Sequence, residues 1–297
     1  MNNMPQSENI HFAIIIPTWN NLPYLRLCIE SIKKNSFFSH EIIVHVNEGN
    51  DGTREYLKEH GIRFTESTVN VGVCVAVNQA ASISNSPYIC YLNDDMYCLP
   101  QWDLILIEKI QSFNTKLFMI SGTMIEPKTR NPCAVEAWFG NSIETFQENE
   151  LLQKYKQFHI HDWYGSCWPP FILHRDTWND IGGFSEEFSP GMSSENDLAM
   201  KLWCSGCRIF VGMGKSMVYH FQCKSTGRVV KNPGPKQFLE KWKISSSFLD
   251  HHFLRSGQPA RSLALPPPKR TPSFFYDLLR SKVKLAARTI WGANFPT

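Results

Sequence analysis

Apolar runs that stop in polar, often acidic loops alternate with helix-period stretches along the first part of the chain. An unbroken apolar run over 12–16, with β-branched Ile14, Ile15 and Ile16, ends at Pro17-Thr18-Trp19-Asn20, which predicts a buried strand and then a loop. Apolar residues at 22, 25, 29 and 32 recur at helical spacing and predict a helix over 22–34. A strand over 41–46 runs into the glycine-bearing loop 47–53; a helix over 54–59, a strand over 62–65 and a small-residue helix over 73–84 follow. The run 88–92 lacks the alternation of a half-exposed strand and ends abruptly in Asn93-Asp94-Asp95. This alternation predicts an α/β fold, a mostly parallel, doubly wound sheet flanked by helices. Asn20, Glu48, Asp51 and Asp95 are expected to converge at the edge where its strands end.

The pattern then changes. A helix is predicted over 102–112 and a strand over 118–124, whereas 126–168 is polar and aromatic without regular period and reads as substrate-facing loops. Residues 168–174 are strand-like, Ile181-Gly182-Gly183-Phe184 makes a turn, and residues 193–197 cap a helix over 198–204. A strand over 208–213 is the last one predicted, and Ser216-Met217-Val218-Tyr219-His220 follows it. From 262 a proline-rich linker leads into a basic amphipathic helix over 272–291. Such a helix suits an anionic membrane surface, or docking on the protein's own core or on a second subunit. The expected organisation is one domain over 1–261 followed by this tail over 262–297.

Composition narrows the class. With 297 residues and 42% hydrophobic content the chain can bury a substantial core, and a net charge of +3 is too small to suggest a nucleic-acid partner. Residues 1–11 lack the apolar segment of a signal peptide, and no run is long enough to span a bilayer. Nine scattered cysteines fit a reducing cytosol, so a cytoplasmic protein is expected. Cys204 and Cys207 form a Cys-x-x-Cys without a second pair and read as a helix end entering a turn. No Gly-x-Gly-x-x-Gly or Gly-Lys-Ser/Thr follows the first strand, which removes dinucleotide and P-loop readings. Asp94 and Asp95, adjacent carboxylates at a strand end, invite a hard divalent cation, although a turn also favours Asp.

Five motifs in register resemble a family. Residues 14–20, residues 47–53, Asn70-Val71-Gly72 with Asn78, residues 92–95, and Gly182-Gly183-Phe184 followed by residues 194–198 are similar to those of a family 2 glycosyltransferase. The resemblance spans roughly residues 10–225. It implies a GT-A fold, with a nucleotide-sugar half over 10–125 and an acceptor half over 126–225. It also implies inverting transfer from a UDP-, GDP- or dTDP-sugar to a glycan, lipid-linked glycan or other hydroxyl acceptor, in bacterial surface polysaccharide assembly.

The implied roles follow the motifs. Asp95 matches the metal ligand for Mn²⁺ or Mg²⁺, and His220 falls where relatives place a metal-ligating His, although a lone His is as readily a packing residue. Glu195 matches the catalytic base, with Asp197 as helix cap and rival base. Pro17, Thr18, Asn20, Glu48, Asn78, Asn93 and Asp94 match donor-binding positions, and Trp168, with Trp138 and Trp163, could stack on a sugar. Lys224, Ser225, Thr226 and Arg228 suggest a lid toward the diphosphate, and His159 and His161 an acceptor contact. The chain departs from the family at Asn93, where the usual DxD has its first Asp, and at Ser194-Glu195-Asn196-Asp197, where Glu-Asp-x-Asp is usual. The rivals are a sugar-nucleotide nucleotidyltransferase and a nucleotide-sugar-binding protein without catalysis.

Overall fold

The computed structural model describes residues 12–166, 168–223 and 233–291. The first half lays down strands β1 (Phe12–Trp19), β2 (Glu41–Asn47), β3 (Arg63–Ser67), β4 (Tyr88–Tyr91) and β5 (Met96–Cys98). Helices α1 (Leu22–Asn35), α2 (Thr53–Glu59), α3 (Gly72–Ser82) and α4 (Trp102–Gln111) connect or follow them. Beyond lie β6 (Phe118–Glu126), β7 (Ala134–Glu136), α5 (Glu148–Lys154), β8 (Trp163–Tyr164), β9 (Phe171–His174), α6 (Arg175–Asp180), α7 (Ser194–Cys204) and β10 (Ile209–His220). Helices α8 (Gly234–Trp242), α9 (Ser246–Phe248, continuing as a π-helical turn Leu249–Leu254) and α10 (Pro272–Trp291) close the chain.

One sheet of order β3-β2-β1-β4-β9-β6-β10-β5 organises the molecule, with β7 on β6 and β8 on β10. The first four neighbours are parallel, as the alternation predicts, and β9 reverses direction against both β4 and β6. The β1 strand continues through the loop expected at residue 17. Pairing with β4 stops at Ile15 while pairing with β2 runs to Trp19, so one edge of β1 is open where Pro17 cannot donate. The last predicted strand does not stop at 213 but runs on to His220 as β10, with a bulge between Met213 and Met217.

The main core fills the space between sheet and helices; Leu25, Cys28, Ile29 and Ile32 supply the buried stripe of α1. Residues 126–168 are not free substrate-facing loops. Phe139, Leu151 and Tyr155 from this stretch pack with Tyr97, Tyr219 and Phe221 into a second core. Irregular spacing hid it because its partners lie on β5 and β10, not on a helix of its own. The tail helix docks on the chain itself: Phe274 and Leu278 pack against the main core and His252 pairs with Asp277 at 2.9 Å. Among the described residues, no helix is long and apolar enough to cross a membrane.

Candidate active site

Strand register builds the site. In the β5–β10 pair Met96 lies opposite His220, so Asp95, one residue earlier, is brought beside the imidazole. On the other side of β10, Tyr219 lies opposite Ile125, which brings Glu126 to the same ring. The Nε2 atom of His220 faces Asp95 Oδ1 at 3.4 Å and its Nδ1 faces Glu126 Oε1 at 2.8 Å. Burial works to lower the His220 pKa, but the Asp95 charge, with hydrogen bonds to both carboxylates, overrides it and raises the ring to about 10. Burial alone would raise Asp95; the His220 charge and the Cys223 N–H, donating at 2.7 Å, hold it below the usual carboxylate range.

Asp95, His220 and Cys223 line a cavity of about 440 Å³, within the range of small-ligand sites, and Glu126 stands behind the ring outside the lining. Its first wall comes from β1 and β4: Pro17, Thr18, Asn93 and Asp94. Thr18 Oγ1 donates to Asp94 at 2.7 Å, and Tyr91 donates to Asn93 Oδ1 at 2.7 Å. Asn47 and Asn70, with the N-terminal end of α3, extend this wall. Gly72 is required there: its φ is +78° and a Cβ would come within 2.6 Å of Pro190 Cα.

The opposite wall is Pro190-Gly191-Met192 with Glu195 from the first turn of α7. Glu195 accepts from Ser194 Oγ at 2.9 Å, and among the described residues no cation pairs with it. Burial raises its pKa, only partly offset by its own backbone N–H and the Ser194 hydroxyl. Asp197, two residues on, turns away from this cavity. It is fully buried and accepts from Ser185 Oγ at 2.5 Å and Trp242 Nε1 at 2.8 Å, with Lys241 Nζ at 2.9 Å. Asp197 thereby fastens α8 to α7.

Several expected site residues do other work. Asn20 donates to Glu48 at 3.2 Å and accepts from the Asn50 N–H at 2.7 Å, so the pair knits two loops beside the cavity without lining it. Asp51 accepts from Leu22 N at 2.8 Å and Thr53 Oγ1 at 2.6 Å, anchoring the starts of α1 and α2. Asn78 holds Phe184 at both amide ends, accepting from its N–H at 2.9 Å and donating to its carbonyl at 2.8 Å. Its side chain is fully used in fixing the Gly182-Gly183 turn. Trp168 is half-buried against the main core, Trp163 is buried with Nε1 donating to Thr123 Oγ1 at 2.9 Å, and Trp138 is exposed; none lines the cavity. His159 and His161 also lie outside it. The suggested lid at Lys224, Ser225, Thr226 and Arg228 falls outside the described residues. Glu126 was missed because nothing next to it in the chain marks it; only the β6–β10 register does.

A parallel strand set whose ends carry an Asp-containing turn faces a helix whose first turn carries a half-buried acid, an arrangement compatible with a GT-A fold. Comparison with known proteins agrees. The glycosyl transferase family 2 profile matches residues 13–173, more than half of the chain, and the chain belongs to that family. Solved structures of S. aureus TarS 1–349 share the fold. One superposes with a TM-score of 0.52 at 14% identity, covering 71% of this chain and 60% of TarS. TarS 1–349 in complex with UDP-GlcNAc gives 0.56 at 14% identity, covering 77% and 64%. The chain thus spans slightly under two thirds of the TarS structures it matches. No curated protein matches it.

Proposed function

We propose that this chain is an inverting glycosyltransferase that moves a sugar from a nucleoside-diphosphate donor to a hydroxyl acceptor, with Glu195 as base. The observation that carries this reading is Glu195 itself: a half-buried carboxylate with no cationic partner among the described residues, in one cavity with the Asp95–His220 pair. A raised pKa suits a carboxylate that must take a proton near neutral pH. The acceptor hydroxyl would approach along the Gly191-Met192 wall, while Thr18, Asn93 and Asp94 orient the nucleoside and ribose. Asp197, engaged with α8, is left to position the helix that carries Glu195.

The donor set also fits a divalent cation. Asp95 Oδ1 and His220 Nε2 converge at 3.4 Å, and Glu126 holds the far ring nitrogen, the arrangement that orients a metal-bound imidazole; a bound ion would take the place of the Nε2 proton that the Asp95 charge otherwise holds there. A carboxylate oxygen with an imidazole nitrogen suits Mn²⁺ more than Mg²⁺. When bound, such an ion would offset negative charge building on the diphosphate leaving group. Because TarS was solved with UDP-GlcNAc, a UDP-sugar is the first donor to test, ahead of GDP- and dTDP-sugars. We read the acceptor as a glycan or lipid-linked glycan of bacterial surface polysaccharide assembly, reached from the cytoplasmic side. The tail supports that setting: Phe275, Leu279 and Val283 expose an apolar stripe on α10, with Arg280 and Lys282 nearby, which suits an anionic lipid surface. A thermal-shift panel of UDP, GDP and dTDP with and without Mn²⁺ tests the donor reading. A rise in melting temperature with one nucleotide, larger with Mn²⁺, is expected; no response to any of the three would overturn it.

A further inference from the structure

A second cavity, of about 190 Å³, lies between α9 and the tail helix and shares no lining residue with the active-site cavity. It is smaller than a drug-sized site, which points to a small ligand. Its chemistry is one-sided. Arg280 and Lys284, one turn apart on α10, line it, and among the described residues neither forms an ion pair. Ser245, Ser247 and Ser281 add three hydroxyls. These are held in place: Ser281 Oγ accepts from the Ser245 N–H at 3.2 Å, and the Ser245 and Ser247 hydroxyls lie 3.1 Å apart. The acid on the wall, Asp277, is already matched by His252 at 2.9 Å.

The geometry points to a phosphoryl-group site between α9 and α10. An arginine fork and a lysine point charge, with the one hydroxyl proton that the Ser245–Ser247 contact leaves over, serve a ligand with several anionic oxygens; Ser281 donates to the Asp277 carbonyl at 2.9 Å. A carboxylate would use fewer of these donors. The same neighbourhood offers a competing cation reading, because one ligand atom from each of His251, His252 and Asp277 come within 4.8 Å of one another. The charges of Arg280 and Lys284 on the same wall weigh against it, as does the engagement of Asp277 by His252. The phosphoryl group can arrive free in solution or as an anionic lipid headgroup, and the apolar stripe on the same helix makes both sources worth separating.

The test uses the full chain with inorganic phosphate in equilibrium dialysis. Wild type, Arg280→Ala/Lys284→Ala and His220→Ala are compared, the last removing the cationic ring that would hold any phosphate in the active-site cavity. Arg280 is exposed and Lys284 only half-buried, so circular dichroism is expected to show the pair variant folded. Saturable phosphate binding that the pair variant loses and His220→Ala retains supports the site. Vesicles of phosphatidic acid and of phosphatidylcholine then identify the source. Sedimentation with phosphatidic acid alone, weakened about thirtyfold in the pair variant, assigns a lipid headgroup. Phosphate binding without vesicle binding assigns a soluble phosphoryl ligand. If bound phosphate survives in the pair variant, or if neither inorganic phosphate nor phosphatidic acid vesicles bind wild type, the proposal is wrong; Zn²⁺ binding that His251→Ala removes would then assign the cavity to a cation.

Discussion

Asp197→Ala should be a stability variant, and the size of the effect follows from what the carboxylate holds. Three groups converge on a side chain with no exposure: the Ser185 hydroxyl, the Trp242 indole N–H and the Lys241 ammonium. Breaking a buried ion pair from one side costs about 3–5 kcal/mol when the partner is left stranded. Lys241 is not wholly stranded, because its side chain is 32% exposed and keeps Glu187 at 2.8 Å. The half-buried Trp242 N–H, by contrast, loses its acceptor, at about 1–3 kcal/mol. The expected loss is therefore about 3 kcal/mol, read by equilibrium urea unfolding. A double-mutant cycle with Lys241→Ala should return a coupling of at least about 0.5 kcal/mol, as for residues in one network. If Asp197→Ala stays within about 0.5 kcal/mol of wild type, as an ordinary surface change would, while donor turnover collapses, the assignment of Asp197 to the α7–α8 fastening is refuted and the base role passes to it.

Other consequences are equally direct. Burial lowers the imidazole of His45 to about 4, with its ring nitrogens facing Thr65 Oγ1 at 2.8 Å and Ser67 Oγ at 3.2 Å. The unfolded chain takes up that proton near 6.5, so stability is full above pH 6.5 and falls by roughly 3 kcal/mol as pH drops toward 4; His45→Gln should flatten the stability profile in that window. Gly72→Ala should lower stability by about 1–3 kcal/mol and weaken nucleotide binding by pushing Pro190 toward the cavity. Gly61→Ala, also at positive φ but with nothing within 4 Å, should leave nucleotide binding unchanged in calorimetry. Glu126→Gln should weaken Mn²⁺ binding about 10–100-fold, measured by titration of the metal alone; unchanged affinity would remove Glu126 from the site.

What the sequence made legible was local. Apolar runs located β1, β2 and β4, and the periodic stripe located α1, because each element's pattern is carried by its own residues. The three-residue strand β5 was hidden, since Met96–Cys98 is too short to show a period and is a strand only by pairing with β10. The second core was hidden for the same reason: Phe139 and Leu151 gain their burial from Tyr97 and Tyr219. Within the site, motif positions brought Pro17, Thr18, Asn93, Asp94, Asp95, Glu195 and His220 to one cavity. Position in a motif did not separate residues facing that cavity from those bracing it. Asn20, Glu48 and Asn78 are polar and near the strand ends, yet their hydrogen bonds go to loop and turn partners. Glu126 is another bracing residue, a carboxylate behind His220 that only strand register marks.

The central claim is that Glu195 removes the acceptor proton in a donor-loaded cavity. Its most direct test is donor turnover by Glu195→Gln beside wild type, with nucleotide and Mn²⁺ affinities measured on the same preparations. The amide keeps the shape and the Ser194 hydrogen bond but cannot take the proton. Affinities within about twofold of wild type and turnover reduced about 10²–10⁴-fold are expected. Wild-type turnover by Glu195→Gln, with donor bound, would contradict the account.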